Sequence, residues 1–124
     1  PAIPSWALSL ARAMRHAACA IAHAAKAEPA AARAEQKAFT AARAKVPAEA
    51  FFGNNSAGTV LDVAEAMLDG EILLREGRDE EGLARLREAL QLMFGGDARL
   101  TVAAREPRGV IAELDFPARS GSEP

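Results

Sequence analysis

Apolar positions recur at three- and four-residue steps through most of the first 94 residues, which is the period of one face of an α-helix. The strongest segment covers residues 59–94, where two apolar stripes are separated by a short turn at Gly77. The first of these stripes consists of Val60, Val63, Ala64, Met67, Leu68 and Leu74. Gly77 suits a left-handed C-terminal cap, and the acidic residues that begin at Asp79 suit the N-terminus of the next helix. Because the connection is so short, we expect the two helices to lie antiparallel.

A weaker pattern of the same kind precedes this hairpin. The apolar stripe of its first helix consists of Trp6, Leu10, Met14, Ala17, Ile21 and Ala25. Ser5 suits the N-cap of a first helix, Glu28-Pro29 marks a break, and Phe39 is the large apolar anchor of an alanine-rich second helix that ends at Pro47. This first hairpin is interpreted as a weaker copy of the second. We predict two stacked antiparallel hairpins, with no sheet before residue 95 and with four helices near residues 5–27, 29–46, 57–76 and 80–94.

The connector and the C-terminal part have no helical period. Asn55, Ser56 and Thr59 are alternative caps for the third helix. Beyond residue 96, short apolar alternations surround residues 105–109, and a β-hairpin, a fifth helix and a loose arm all fit this pattern. We predict a helical domain over 1–96 and a tail over 97–124 that is irregular or partly ordered against the helices, with its last five residues disordered.

Small residues in the 59–94 segment have the spacing found in a tetratricopeptide repeat, where paired helices cross closely. The residues that carry this resemblance are Gly70, Leu73, Gly77, Gly82, Leu86 and Ala89. The sequence FFGNN at residues 51–55 also resembles uncharacterised bacterial proteins of this family, whereas Ala66 and Phe94 stand where the repeat usually has Trp and Pro. The resemblance implies an all-α fold, a fragment of an α-solenoid in which each hairpin buries its apolar face against a neighbour.

Composition narrows the function classes. Half of the residues are apolar but alanine dominates them, so the core has few large side chains. A net charge of −2 gives no basic field for nucleic acid or an anionic membrane, and no apolar run reaches the roughly 18 residues of a spanning helix.

The chain begins with Pro1, as a processed product or a piece of a longer protein would. The compartment stays open, with the cytoplasm slightly favoured.

His16, Cys19 and His23 share one face of the first helix and are the candidate soft-metal ligands. The two histidines are two turns apart, about 10 Å along the axis, and zinc bonds of about 2.0–2.3 Å do not span that gap. We therefore favour a small buried cysteine between two partly exposed histidines, and we predict no metal, no cofactor and no enzymatic activity. A metal- or redox-linked role for Cys19 is the remote alternative.

Acidic residues at helical spacing give the candidate binding surface. Asp62, Glu65 and Asp69 fall at steps of three and four, which fits an acidic strip that faces a basic peptide or, by the interpretation we favour, a solvated helix face. The second hairpin also carries more large apolar residues than the first can cover. The candidate partner-binding residues are Asp62, Glu65, Asp69, Leu90, Met93 and Phe94. We expect the tail to shield this apolar patch in part, through Val110, Ile111, Leu114 and Phe116.

Two function hypotheses follow. The first is a protein–protein interaction module of a helical-repeat scaffold that binds a peptide or protein partner. The second is a self-associating structural fragment, either a homodimer or part of a longer repeat array, with no ligand of its own.

Overall fold

The computed structural model describes residues 3–52, 54–95 and 98–115. These residues are mostly helical, in four helices: α1 (Ser5–Ala25), α2 (Pro29–Arg43), α3 (Ala57–Arg75) and α4 (Asp79–Phe94). The four predicted helices are confirmed, with every end within three residues of its prediction. In the described part of the chain, no helix combines the length and the apolar character needed to cross a membrane.

Both helical hairpins close with the same type of turn. Gly77 follows α3 with a φ of 82°, and the N–H of Arg78 donates a 2.9 Å hydrogen bond to the carbonyl of Leu73. After α1, Ala27 takes the same place with a φ of 61°, and the residue that follows it donates the equivalent bond. The left-handed conformation satisfies carbonyl groups that the end of a helix leaves without partners. The two hairpins are therefore related by a shift of fifty residues.

The core lies between the first hairpin and α3. Its largest fully buried side chains are Phe39, Leu61, Leu68 and Ile72, and the alanines of α1 pack against them. Phe39 is thus the anchor that the sequence indicated. The inward stripe expected for α1 was partly wrong, since Ala13 and Ala20 are buried whereas Met14 is exposed. Alanine occupies several sides of α1, so the apolar pattern alone does not select one inward face.

Gly70 and Gly82 lie where α3 and α4 approach closely. A Cβ atom added to Gly82 would lie 2.9 Å from the carbonyl oxygen of Gly70, a distance that a side chain tolerates only if the helices separate. Fifty residues earlier, Ala20 and Ala32 hold the equivalent positions and are fully buried. The other residues of the predicted repeat-packing set lie on the same hairpin: Leu73 and Ala89 are buried, Leu86 is half-buried beside Gly70, and Gly77 forms the turn.

The connector between the hairpins contains a short antiparallel ladder, β1 (Phe51–Phe52) with β2 (Asn55–Ser56). The prediction that no sheet precedes residue 95 is therefore wrong. Gly and Asn stand between the two strands in the sequence, and these residues favour tight hairpin loops, a local signal that helical periodicity does not report. Ser56 then caps α3, since its hydroxyl accepts a 3.2 Å hydrogen bond from the N–H of Thr59.

The C-terminal part forms a second antiparallel hairpin, β3 (Arg99–Ala104) with β4 (Val110–Asp115). Its register runs from Arg99 opposite Asp115 to Ala104 opposite Val110. An irregular tail is thus wrong for residues 99–104 and 110–115, and the β-hairpin alternative is the one that forms. The predicted domain boundary at 96–97, the shielding role of Phe116 and the disorder of residues 120–124 lie outside the described residues.

The β3–β4 hairpin contacts the helices at its base. The Nε of Arg87 in α4 donates a 3.0 Å hydrogen bond to the carbonyl of Leu100, and Ala98 is buried. Farther out, Val110, Ile111 and Leu114 are 65%, 47% and 53% exposed. The expectation that these three side chains shield the helices is therefore wrong, because all three are themselves exposed.

Candidate functional site: a methionine-lined groove

An open apolar groove of about 390 Å³ lies between α1, α3 and the end of α4. We call it the methionine groove. Asn55 and Thr59 are the polar residues of its lining. The apolar lining consists of Met14 from α1, Val60, Val63, Ala64 and Met67 from α3, and Leu92 and Met93 from α4.

The sequence of α3 explains why this surface is apolar. Leu61, Leu68 and Ile72 are turned into the core, whereas Val60 and Met67 lie on another side of the same helix and line the groove. A helix that is apolar on several sides has more apolar surface than one core can cover. The remaining stripe of α3 therefore forms the floor of a groove.

The three methionines of the chain all line this groove. Met14, Met67 and Met93 are 37%, 41% and 54% exposed, and Leu92 beside them is 40% exposed. Unbranched thioether side chains adapt to apolar surfaces of different shapes and are common at promiscuous binding surfaces. The groove can thus accept apolar side chains without one fixed shape.

The predicted acidic strip has partners from other helices. Arg43 of α2 donates a 2.6 Å hydrogen bond to Glu65 and a 2.9 Å hydrogen bond to Asp62. The two carboxylates therefore share one guanidinium. Neither interpretation of the sequence included these ion pairs, which join α3 to α2.

Asp69 lies at the centre of the strip, with its side chain 21% exposed. It accepts hydrogen bonds from Gln36 at 2.9 Å and from Arg33 and Arg85 at 3.0 Å, so it links α3 to both α2 and α4. Partial burial acts to raise the pKa of Asp69, but these hydrogen bonds outweigh it and the pKa lies below its ordinary value. A hydrogen bond from Arg33 likewise lowers the pKa of Glu76.

Carboxylates outnumber guanidinium groups in this network. Within the described residues, six carboxylates share four arginines, which leaves an excess of two negative charges. We call this set the α3 ion network; it consists of Asp62, Glu65, Asp69, Glu76, Glu81 and Glu88 with Arg33, Arg43, Arg78 and Arg85.

The apolar candidates from the sequence lie in different places. Met93 lines the methionine groove. Leu90 is half-buried and lies beside Ala98 and Leu100, at the base of the β3–β4 hairpin. Phe94 is 40% exposed and follows Met93 at the end of α4. Met14 and Met67 also line the groove, although the sequence places them on the apolar stripes of α1 and α3 and not among the binding candidates.

The histidines of α1 each have a carboxylate partner. The Nδ1 of His16 lies 2.6 Å from Glu35, and the Nδ1 of His23 lies 2.7 Å from Glu28. Cys19 is free and half-buried. Among the described residues, no group of three or more His, Cys, Asp or Glu side chains is placed to hold a metal ion.

Comparisons of the chain with protein-family models, with curated proteins and with solved structures found no match. The resemblance to tetratricopeptide repeats therefore rests on the residues named for it in the sequence.

The lining of the methionine groove suits apolar groups better than polar ones, because only two of its nine residues are polar. The groove supplies adaptable apolar contact area, and the α3 ion network fixes α3 against α2 and α4. Contiguous exposed apolar surface with a polar rim is typical of protein interaction sites. The groove is thus the candidate functional site.

Proposed function

We propose that this protein is a protein–protein interaction module that binds an apolar segment of a partner in the methionine groove. One observation carries the proposal: the three methionines come from three different helices and lie together, partly exposed, in one groove. Methionine is uncommon in this chain, so its concentration there marks a surface whose chemistry differs from the alanine-rich core.

The stacking of the hairpins supports a repeat-type scaffold for this function. Helix α3 contacts both helices of the first hairpin as well as α4. In helical-repeat proteins, each unit covers its apolar face in this way against its neighbour. With the shared turn at Ala27 and Gly77, this arrangement supports two units of a tetratricopeptide-like α-solenoid fragment.

The groove has room for a few apolar side chains. Full burial of one Leu or Phe side chain contributes about 1.5–3 kcal/mol, and association itself costs several kcal/mol. We therefore expect a weak, reversible complex unless the partner makes further contacts.

Nuclear magnetic resonance of the methionine methyl groups tests the proposal directly. With ¹³C-labelled methionine, the chain gives three methyl signals, and each reports on the groove. The probes are a panel of helical peptides that carry Leu, Ile, Phe or Met at three- and four-residue spacing and neutral polar residues elsewhere. We expect at least one peptide to shift all three signals with a single saturating dependence on its concentration.

Two variants provide the control. Met67→Lys places a charge on the groove floor and should abolish the shifts of the other two signals, whereas Leu8→Lys changes an exposed apolar residue that does not line the groove and should leave them unchanged. If none of the peptides moves the three signals, or if Met67→Lys binds as the wild type does, the groove is not the binding site.

The β3–β4 hairpin favours self-association as a second candidate. The register places Leu100, Val102 and Ala104 directly opposite Leu114, Ala112 and Val110, so one face of the hairpin is entirely apolar. A two-stranded hairpin with an uncovered apolar face is marginally stable in water. Light scattering after size exclusion should show a mass that rises with concentration and that falls to the monomer value in Val110→Lys/Leu114→Lys. A wild-type chain that is monomeric throughout would remove this candidate.

A further inference from the structure

A second, polar cavity adjoins the methionine groove. It has a volume of about 280 Å³ and is lined by Asp62, Glu65, Arg85, Glu88 and Leu92. Leu92 also lines the methionine groove, so one side chain separates the two cavities. A segment that fills the groove therefore extends within a side chain's reach of the three carboxylates.

These carboxylates are more exposed than the arginines that pair with them. The side chains of Asp62, Glu65 and Glu88 are 54%, 41% and 52% exposed, against 22% and 27% for Arg43 and Arg85. The solvent-facing surface of the cavity is thus acidic although the network beneath it contains cations.

Each guanidinium that pairs with these carboxylates is divided between two of them or between one of them and Asp69. Arg43 bonds both Asp62 and Glu65, and Arg85 bonds both Asp69 and Glu88. A carboxylate has two oxygens and about four lone-pair sites, so it can accept another donor while it keeps its arginine. Cationic donors form the strongest such hydrogen bonds.

We infer that the partner segment is both apolar and basic: an apolar side chain enters the methionine groove, and a Lys or Arg side chain beside it reaches Asp62, Glu65 and Glu88. This inference rests on the proposed function and names the chemistry of the partner. On a helical partner, residues three or four apart lie about 5–6 Å from each other on one face, which suits two adjoining cavities. An acidic segment would add negative charge to a network that already has an excess of two, so it is disfavoured.

Three synthetic helical peptides with identical Leu anchors test the inference. They carry Lys, Gln or Glu at the positions three and four residues from the central anchor. Titration calorimetry should give an affinity for the Lys peptide about tenfold higher than for the Gln peptide, with the Glu peptide weakest. Because these carboxylates are partly exposed, the preference for Lys should diminish at about 1 M salt, where the screening length is about 3 Å.

The variant Glu65→Gln/Glu88→Gln should lose most of the preference for the Lys peptide, since only Asp62 of the three carboxylates remains, while it keeps the wild-type affinity for the Gln peptide. Unchanged affinity for the Gln peptide shows that the groove is still folded. The matched control is Glu80→Gln/Glu113→Gln, which removes the same two charges from residues that do not line either cavity and should retain the preference for Lys.

The outcomes separate this inference from the proposed function. Equal binding of the Lys and Gln peptides to the wild type, with shifts of the three methionine signals, overturns the inference and leaves the proposed function standing. Binding of the Lys peptide without these shifts also overturns it, because the groove is then not involved. If no peptide shifts the methionine signals, both fail.

Discussion

Ala27 adopts a positive φ of 61°, a conformation that costs a residue with a Cβ atom about 1 kcal/mol relative to Gly. Gly77 takes the equivalent place in the second hairpin, with a φ of 82°. We therefore predict opposite effects at the two turns: Ala27→Gly raises the free energy of unfolding by about 0.5–1 kcal/mol, and Gly77→Ala lowers it by about 1 kcal/mol. Urea denaturation measures both. Effects of the same sign would show that the turns are not equivalent.

Asp69 is one of the carboxylates through which the α3 ion network depends on pH, and it contacts two arginines. Its pKa is lowered in the folded chain, so its contribution to stability is fully present above the pKa of the unfolded chain, about 3.9, and is lost as the pH falls through the lower folded value. We predict that Asp69→Asn lowers the free energy of unfolding at pH 7 by about 1–3 kcal/mol, because two guanidinium groups lose their anionic acceptor.

The same variant should lose less stability than the wild type between pH 4 and the folded pKa of Asp69. Thermal melting across this range measures the difference. Glu81→Gln is the control, since the side chains of Arg78 and Glu81 are 51% and 58% exposed and the loss of this surface pair should change the melting temperature little at pH 7. Parallel melting curves of Asp69→Asn and wild type below pH 4 would contradict the assignment of the pH dependence to Asp69.

At the scale of elements, the crossing of α3 and α4 depends on Gly70 and Gly82. Alanine is favoured over glycine inside a helix by about 1 kcal/mol. We nevertheless predict that Gly82→Ala lowers the free energy of unfolding by about 1–3 kcal/mol, because the added Cβ meets the carbonyl of Gly70 and the side chain of Leu74. Chemical denaturation measures the change.

Gln91→Ala is the matched control, since it introduces the same residue at an exposed position of α4. It should be neutral or slightly stabilising. A gain in stability for Gly82→Ala would mean that the two helices can separate without loss of packing.

Helix α3 is the element around which the described structure is built. It contributes Leu61, Leu68 and Ile72 to the core, Met67 to the groove and Asp69 to the ion network. Its surroundings explain why one helix supplies three different surfaces: α1, α2 and α4 all contact it.

At the scale of the whole molecule, the side chains of the β3–β4 hairpin are more exposed to solvent than those of helix α3. The distal residues of the hairpin are exposed on both faces, whereas α3 is buried on several sides. We predict that the amides paired between β3 and β4 exchange hydrogen with solvent much faster than those of α3 near Leu68, because the hairpin can open without disrupting the helical core. Hydrogen exchange followed by mass spectrometry resolves the two regions. Equal protection would mean that the hairpin and helices unfold as one unit.

The sequence alone determined the local features. Helical periodicity, the break at Glu28-Pro29 and the glycine at position 77 were sufficient to predict four helices and their limits, because these signals act within a few residues of chain. Phe39 could be identified as a buried anchor because α2 offers few other large side chains. The alternation near residues 99–115 admitted a β-hairpin but did not exclude a helix or a loose arm.

Tertiary structure alone decided which surfaces meet. Helix α1 has alanine on several sides, and helix α3 is apolar on several sides, so neither pattern specifies a single inward face. Packing against neighbouring helices leaves Met14 and Met67 in the groove. The partners of Asp69 lie 36 residues before it and 16 residues after it, on other helices, beyond the range of any local pattern. Which side chains are buried, paired or left to bind a partner is therefore fixed by contacts between segments distant in sequence, since burial and ion pairing depend on distance in space.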